Sequence, residues 1–447
     1  MSKWRRSSLA VLAKSDLFGL HIVSLMEQYP FSRSTDANVD LSSQDAFNEG
    51  APFATFDRMR RENPLEWVEM SDGGKGFWNV VRHADLLELN RQSDLLSSAK
   101  GIRMEDQSDE EYEARKTFQE TDPPEHRAFR ALVSKAFSPS TVASYDGQIR
   151  QIVNELLDVA LEQGEFDAVD AIARRLPMQM LAQIMGVPTA DGDWLVEKGD
   201  ALISNSDPDY TDFVIDKVDT EEYRLLPFRS PAAIELFDYA NDLLDRMDAG
   251  EQIGVLNLVR QTTSHGTQMS RDEFRNFFCL LVAAGNDTTR YSIAATIHSL
   301  ANHPELLNQI QSPEFNQWDE ASDEMIRWAS PTSHFRRTAT RDFEYHGKKV
   351  TAGDKVIMWF LSGNRDEAGI ADPYKINLTR PRNPFLSFGQ GGPHICLGMW
   401  LAKLEVKIVL QELSRRIRTI EQCAEHSYLR SNFIHGIKHL PVRVTRR

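Results

Sequence analysis

Apolar residues recur at helical spacing along most of the chain. From Asp57 onward a period of three to four residues dominates, broken by short Pro, Gly and Asp punctuation, with no internal repeat and no low-complexity linker. The longest such segment is predicted to start at Ser270, where Ser270 and Glu273 make a capping box, and to stop at Pro304. At about 1.5 Å per residue, its some 32 residues span nearly 50 Å and cross the whole molecule. Its middle, Leu280 to Ala284, is apolar nearly all round and so is expected to be buried on several sides. Asp122-Pro123-Pro124-Glu125 marks another helix start, and that helix carries His126 and Arg130 on one face. After Pro331 the pattern turns β-like: Phe343 to Gly347 and Lys355 to Phe360 read as strands of a minor sheet. A Gly-rich segment, Phe388 to Gly398, leads into a last helix with Leu397, Leu401, Leu404 and Ile408 on one stripe. The acidic stretch Glu105 to Glu113 reads as a solvated, mobile loop. These elements predict a mainly α fold, a multihelical single domain with a small β-sheet region.

Composition narrows the function classes. The chain has 447 residues, 41% hydrophobic and 26% charged, with 51 Lys+Arg against 66 Asp+Glu and a net charge of −15. With no long basic run, nucleic acid is not an expected partner. Residues 1–40 read as an N-terminal extension, poorly ordered, ahead of one domain over residues 41–447. Within the extension, Lys14, Asp16 and His21 interrupt a mildly apolar stretch that reaches about Leu25. It is too broken for a membrane span of roughly 20 apolar residues and no small-residue cleavage site comes after it. A cytoplasmic, monomeric protein is expected. Three scattered cysteines, Cys279, Cys396 and Cys423, form neither a disulfide framework nor a thiolate zinc cluster.

Of the three, Cys396 has the informative surroundings. It lies in a glycine-rich loop, Phe388-Gly389-Gln390-Gly391-Gly392-Pro393-His394-Ile395-Cys396-Leu397-Gly398, immediately before a helix. Helix N-terminal N–H groups favour a thiolate, and glycines let backbone amides approach the sulfur. A lone stabilised thiolate suits a metal whose other ligands are already supplied, as in haem; a buried cysteine in a tight turn is the alternative. The long helix carries Ala284-Gly285-Asn286-Asp287-Thr288-Thr289 within its apolar run. A glycine and two hydroxyls there are expected to distort the helical ladder into a groove holding an alcohol and a carboxylate, suited to proton delivery; the alternative is a solvent-facing polar turn. Glu324 and Arg327 form an acid–base pair three apart on one helical face, a weak signal alone.

Taken together and in this order, the motifs resemble those of the cytochrome P-450 superfamily, specifically its soluble bacterial members, over roughly residues 55 to 420. Gly392, His394 and Gly398 stand around Cys396 as in the haem-thiolate signature, residues 284–289 are similar to the oxygen-activating motif, and Glu324, Arg327 and Arg380 to the family's structural triad. The resemblance implies haem b with Cys396 as axial ligand, His126, Arg130, Arg337 and His394 as propionate anchors, and Ala284, Gly285 and Gly398 against the cofactor. It implies Thr288 as the hydroxyl of oxygen activation and Asp287 as proton relay. Two departures stand out: Phe388 lies eight residues before the cysteine, one more than in many relatives, and Ile376 stands where an aromatic is common.

The implied activity is a monooxygenase hydroxylating an unactivated C–H bond of a hydrophobic small molecule, terpenoid, steroid or aliphatic lipid, with O2. No flavin or iron–sulfur domain is evident, so electrons are expected in trans from a ferredoxin and ferredoxin reductase, docking near Arg130, Lys403 and Lys407. The pocket is expected to be lined by the loops around residues 95–120 and 200–230, by Ala284, and by Ser333, His334 and Phe335. Two alternatives remain at this point. A peroxide-driven peroxygenase of the family typically replaces the acid–alcohol pair, which is retained here as Asp287-Thr288. A non-catalytic haem sensor would give no oxidised product.

Overall fold

The computed structural model describes residues 32–70, 73–260, 269–381 and 385–447. The first 31 residues of the expected extension lie outside the described residues. The remainder of that extension is tied to the body: Arg33 Nη2 donates to the His426 carbonyl at 2.9 Å and Thr55 Oγ1 to that of Asp36 at 2.9 Å.

Ten helices position the site: α1 (His83–Asn90), α2 (Asp109–Arg115), α3 (Glu125–Ser134), α4 (Asp146–Gln163), α5 (Arg175–Met185), α6 (Gly192–Ile203), α7 (Ala232–Asp248), α8 (Arg271–Asn302), α9 (Trp318–Ala329) and α10 (Met399–Arg416). The expected central helix is α8. Ser270 Oγ accepts from the Glu273 N–H and Glu273 Oε2 from the Ser270 N–H, closing the capping box. α5, α6 and α7 pack against α8, as do α9 and α10. That enclosure explains why a helix apolar nearly all round is stable at this length. One cluster of buried side chains runs through α3 to α10 and forms the main core, while Leu86 and Leu89 of α1 belong to a second, smaller cluster.

The largest sheet of the β region has five strands, β1 (Leu65–Val68), β2 (Phe77–Val80), β3 (Leu96–Ser97), β4 (Phe335–Ala339) and β5 (Lys355–Met358). Its order is β1-β2-β5-β4-β3, antiparallel except for the β2–β5 pair. The predicted strand around Phe343 forms instead a separate hairpin with Lys348–Val350. Part of the acidic stretch expected as a mobile loop is α2. Ser108 and Glu111 cap it reciprocally, which satisfies its first backbone donors and favours helix over coil. No helix among the described residues is long and apolar enough to cross a membrane.

Candidate active site

Close backbone packing holds the Cys396 loop. Gly389 and Gly391 take φ of 68° and 100°, which glycine reaches at little cost. Gly392 sits so near α1 that a Cβ there would lie 2.2 Å from the Asn90 carbonyl oxygen. Asn90 Nδ2 donates to the carbonyls of Gly389 and Gln390 at 2.9 and 3.0 Å. The Cys396 N–H donates to the Phe388 carbonyl at 2.9 Å, and the longer approach from Phe388 places its ring in the same cavity wall as the sulfur. Burial pushes the Cys396 thiol up; the N–H groups of Gly398 and Met399 at the start of α10 and the Arg130 guanidinium pull it down. Those same groups favour the thiolate once a cation faces it.

Ala284, Gly285, Thr288, Thr289 and Ser292 of α8 border the same cavity, as spacing of three and four on one helical face requires. α8 runs unbroken through them, so the expected distortion is not what opens the groove. Small side chains open it, and Gly285 admits α5: a Cβ would fall 2.5 Å from Leu181 Cδ2. Thr288 Oγ1 lies 3.3 Å from the Ala284 carbonyl. Asp287 is fully buried and does not border the cavity. Its carboxylate accepts from Ser204 Oγ at 2.6 Å and pairs with Arg290, which also grips Asp200. Asp200 in turn accepts from Asn286 Nδ2 at 2.7 Å and from Arg174 Nη2 at 2.6 Å. Burial raises the Asp287 carboxyl, against the pull of Arg290.

His126, Arg130, Arg337 and His394 all face this cavity. The two imidazoles lie 4.0 Å apart, centroid to centroid. Burial, with the neighbouring guanidiniums, pushes His126 down to about 4 and His394 down to about 2, so both are neutral donors at neutral pH. His394 Nε2 is 3.2 Å from Ser98 Oγ, whereas both ring nitrogens of His126 are buried without a partner among the described residues. No carboxylate among the described residues pairs with Arg130 or Arg337. A buried cluster of donors with no acidic partner calls for an anion in the cavity. Two propionates supply one, and Cys396 supplies the ligand, so these residues fit a haem.

Glu324, Arg327 and Arg380 meet in the core beside that chamber. Arg327 holds both Glu324 oxygens, at 2.7 and 2.9 Å, and Arg380 Nε adds a third bond at 2.8 Å. Burial alone would raise the Glu324 carboxyl; the two guanidiniums hold it below its usual range. Arg327 Nη1 also donates to the carbonyls of Asn364 and Pro373, so the pair pins the segment that precedes the cysteine loop.

The expected pocket needs two corrections. Phe335 lines the chamber; Ser333 and His334 do not. Phe335 and Arg337 share one face of β4, and His334 points the other way, packed on Trp359 and Phe433 with Nδ1 3.1 Å from the Asn432 carbonyl. Ser333 is buried where its N–H meets the Phe433 carbonyl. Residues 200–230 contribute nothing to the inner chamber and instead line an outer one. Arg130, expected on a docking surface, is in the chamber wall. Sequence reasoning missed Asn90, which carries no local signal, and Glu405. The Glu405 carboxyl borders the chamber with neither oxygen partnered among the described residues, and burial pushes it up to about 8.

The sequence model of the cytochrome P450 family matches residues 319–423. A methyl-branched lipid omega-hydroxylase of Mycobacterium tuberculosis is 33% identical over 417 residues, covering 91% of this chain and 94% of its own. The chain belongs to the cytochrome P450 family. A steroid C26-monooxygenase of Mycolicibacterium smegmatis is 29% identical over 89% of this P450 and 91% of its own length. Among solved structures, a Mycobacterium marinum cytochrome P450 in complex with pseudoionone superposes with a TM-score of 0.81 at 30% identity, over 91% of this chain and 98% of that one. This P450 is an oxidoreductase of the monooxygenase class with a haem-thiolate centre, and the named relatives are bacterial.

Proposed function

We propose that this P450 hydroxylates an unactivated C–H bond of a hydrophobic small molecule of terpenoid, steroid or aliphatic-lipid kind, using haem b, O2, and electrons from a separate ferredoxin and its reductase. One observation carries the reading: the Cys396 sulfur and the Thr288 hydroxyl open onto one chamber whose other walls are largely apolar, among them Leu280, Leu281, Phe335 and Leu401. The relatives' names, a methyl-branched lipid hydroxylase and a steroid monooxygenase, support an apolar substrate.

When bound at Cys396, a haem supplies the reductive activation of O2. The chain's own residues do the rest. Cys396 is positioned by its backbone bond to Phe388 and by the start of α10. His126, Arg130, Arg337 and His394 donate hydrogen bonds to carboxylates in the chamber. Thr288 presents a hydroxyl that both donates and accepts at Oγ1. Behind it the Asp287 carboxylate is held by Arg290 and Ser204, and it can take up a proton and pass it toward the chamber only by leaving both. Apolar walls keep bulk water from the reacting carbon. Electrons enter near Lys403 and Lys407, which pair with Asp323 at 2.8 Å and Asp319 at 3.0 Å until an acidic partner competes.

The test is a titration of the haem-loaded protein with a hydrophobic library, monitoring the Soret shift from low to high spin, and then turnover with O2, a ferredoxin and its reductase. Ligands that shift the band should yield hydroxylated product only when O2 and reductant are both present. Product from peroxide alone would identify a peroxygenase, and neither shift nor product would identify a haem carrier.

A further inference from the structure

We infer that the substrate is an aliphatic carboxylate that binds tail first, its carboxylate held in an outer chamber by Arg103, Arg115 and Arg229 while its apolar end reaches the chamber of Cys396. This rests on the monooxygenase reading above and names the substrate class for that site.

The outer chamber measures about 620 Å3 and adjoins the inner one across Ile102, Gln119 and Leu280, which border both. A space of that size is in the range of small-ligand pockets, far beyond what a single water needs. The two chambers differ in chemistry. Three guanidiniums from three separate segments meet in the outer one: Arg103 after β3, Arg115 at the end of α2, and Arg229 ahead of α7. A pure hydrocarbon would find no use for them. A molecule apolar at one end and anionic at the other matches both chambers at once.

The guanidiniums are incompletely engaged. Arg103 reaches Asn205 Oδ1 at 3.3 Å and Glu105 at 3.4 Å. Arg115 and Arg229 share Glu111 at 3.7 and 3.8 Å. Arg115 also donates to Gln107 Oε1 at 2.8 Å and to the Arg224 carbonyl at 3.0 Å, and Arg229 to Glu221 at 2.9 Å on the exposed rim. Even so, Nε of Arg229 and Nε2 of Gln107 are buried without an acceptor among the described residues. These donors are left without acceptors, and a carboxylate is the group that meets forked guanidinium donors best.

The remaining acids on the wall do not cancel this. Asp106 is held by Lys355 and Arg336, and Asp216 by both ends of the Arg430 fork. Burial pushes Glu120 up to about 7, so it is not a full fixed charge against an incoming anion. Phe228 and Arg229 adopt left-handed φ of 57° and 51°. Such conformations are costly for side chains of this size, and they are found where a wall must aim a side chain at a ligand. With the head fixed outside, the carbons nearest Cys396 are those remote from the carboxylate.

Calorimetry on the haem-loaded full chain tests this with dodecanoic acid, methyl dodecanoate and dodecane, all at a pH where the acid is ionised. The wild type should bind the acid at least about tenfold more tightly than the ester, the worth of one charge-assisted hydrogen bond. The Arg103→Gln/Arg229→Gln double variant should bind acid and ester alike, and Arg229→Lys should keep part of the preference. Retention of the thiolate-type carbon monoxide spectrum shows that each variant is folded. Hydroxylation should fall at the end of the chain remote from the carboxylate in the wild type and scatter in the double variant. Equal binding of acid and ester by the wild type, or a preference that survives in the double variant, overturns the inference. Because calorimetry reads binding without turnover, an acid preference lost in the double variant supports the anion site even where no product forms. A normal carbon monoxide spectrum without acid preference removes the anion site alone.

Discussion

Asp287 and Thr288 are adjacent in the chain, yet only the Thr288 side chain borders the chamber of Cys396; the Asp287 carboxylate lies behind it, gripped by Arg290 and Ser204. One helical step turns a side chain through about 100°, so neighbours in sequence take different surroundings. The hydroxyl is placed to touch what binds in the chamber. The acid is held away from it and can relay a proton there only by leaving Arg290 and Ser204.

Asp287→Asn keeps a group that can accept from Ser204 but cannot carry the proton. Turnover should fall by about a hundredfold, the lower end of what general acid–base groups contribute, with little change in KM. Ser204→Ala, which removes one restraint and leaves the acid, should cost far less. Steady-state kinetics of both variants checks this, and equal losses would assign Asp287 a structural role.

Thr288→Ala removes the hydroxyl and leaves α8 intact, because Thr288 Oγ1 makes only the long contact to Ala284 within the helix. Reduced nicotinamide should still be consumed, while product per reducing equivalent drops by roughly tenfold and peroxide accumulates. The ratio of product to reductant is the measurement. Unchanged coupling would count against Thr288.

The elements legible in the sequence were those whose determinants are local. The capping box at Ser270 and Glu273 and the glycines before Cys396 each act within a few residues, so spacing alone locates them. The same rule was present at Ser108 and Glu111, where the run of acids hid a capped helix behind the look of a solvated loop. What was not legible depends on partners far along the chain. Asn90 clasps a loop some 300 residues away, and no local pattern marks it. His334 faces away from the chamber because the segment at Asn432 and Phe433 receives it.

Glu324 accepts from two buried guanidiniums and from the Asn377 N–H, so each member of the triad depends on the others. Removing one partner leaves a buried charge uncompensated, at about 3–5 kcal/mol. Glu324→Ala, which strands both guanidiniums, should therefore lower unfolding stability by about that amount, and Arg380→Ala, which leaves Arg327 on Glu324, by less; both should reduce haem retention, although neither residue borders the chamber. In the double variant the losses should fall well short of additive. Urea unfolding together with the Soret-to-protein absorbance ratio would show it.

Glu405 presents the opposite case, a buried carboxyl with no cation paired to it among the described residues. Its pKa is pushed from 4.5 up to about 8 by burial, and both oxygens lack partners among the described residues. The native state therefore keeps a proton that the unfolded chain releases above about pH 4.5. By linkage, the stability tied to that proton is fully present below about pH 4.5 and is lost as the pH rises through about 8. Glu405→Gln preserves shape and removes the titration. Thermal unfolding should find wild type and variant close together near about pH 5, and the variant more stable by about 5 kcal/mol near about pH 9, an order-of-magnitude figure from the size of the shift. Parallel stability curves across that range would mean that Glu405 acquires a counter-charge when the chamber is filled. The carboxyl would then be ionised and paired in the filled chamber, and Glu405→Gln, which strands that counter-charge, should lower stability at every pH.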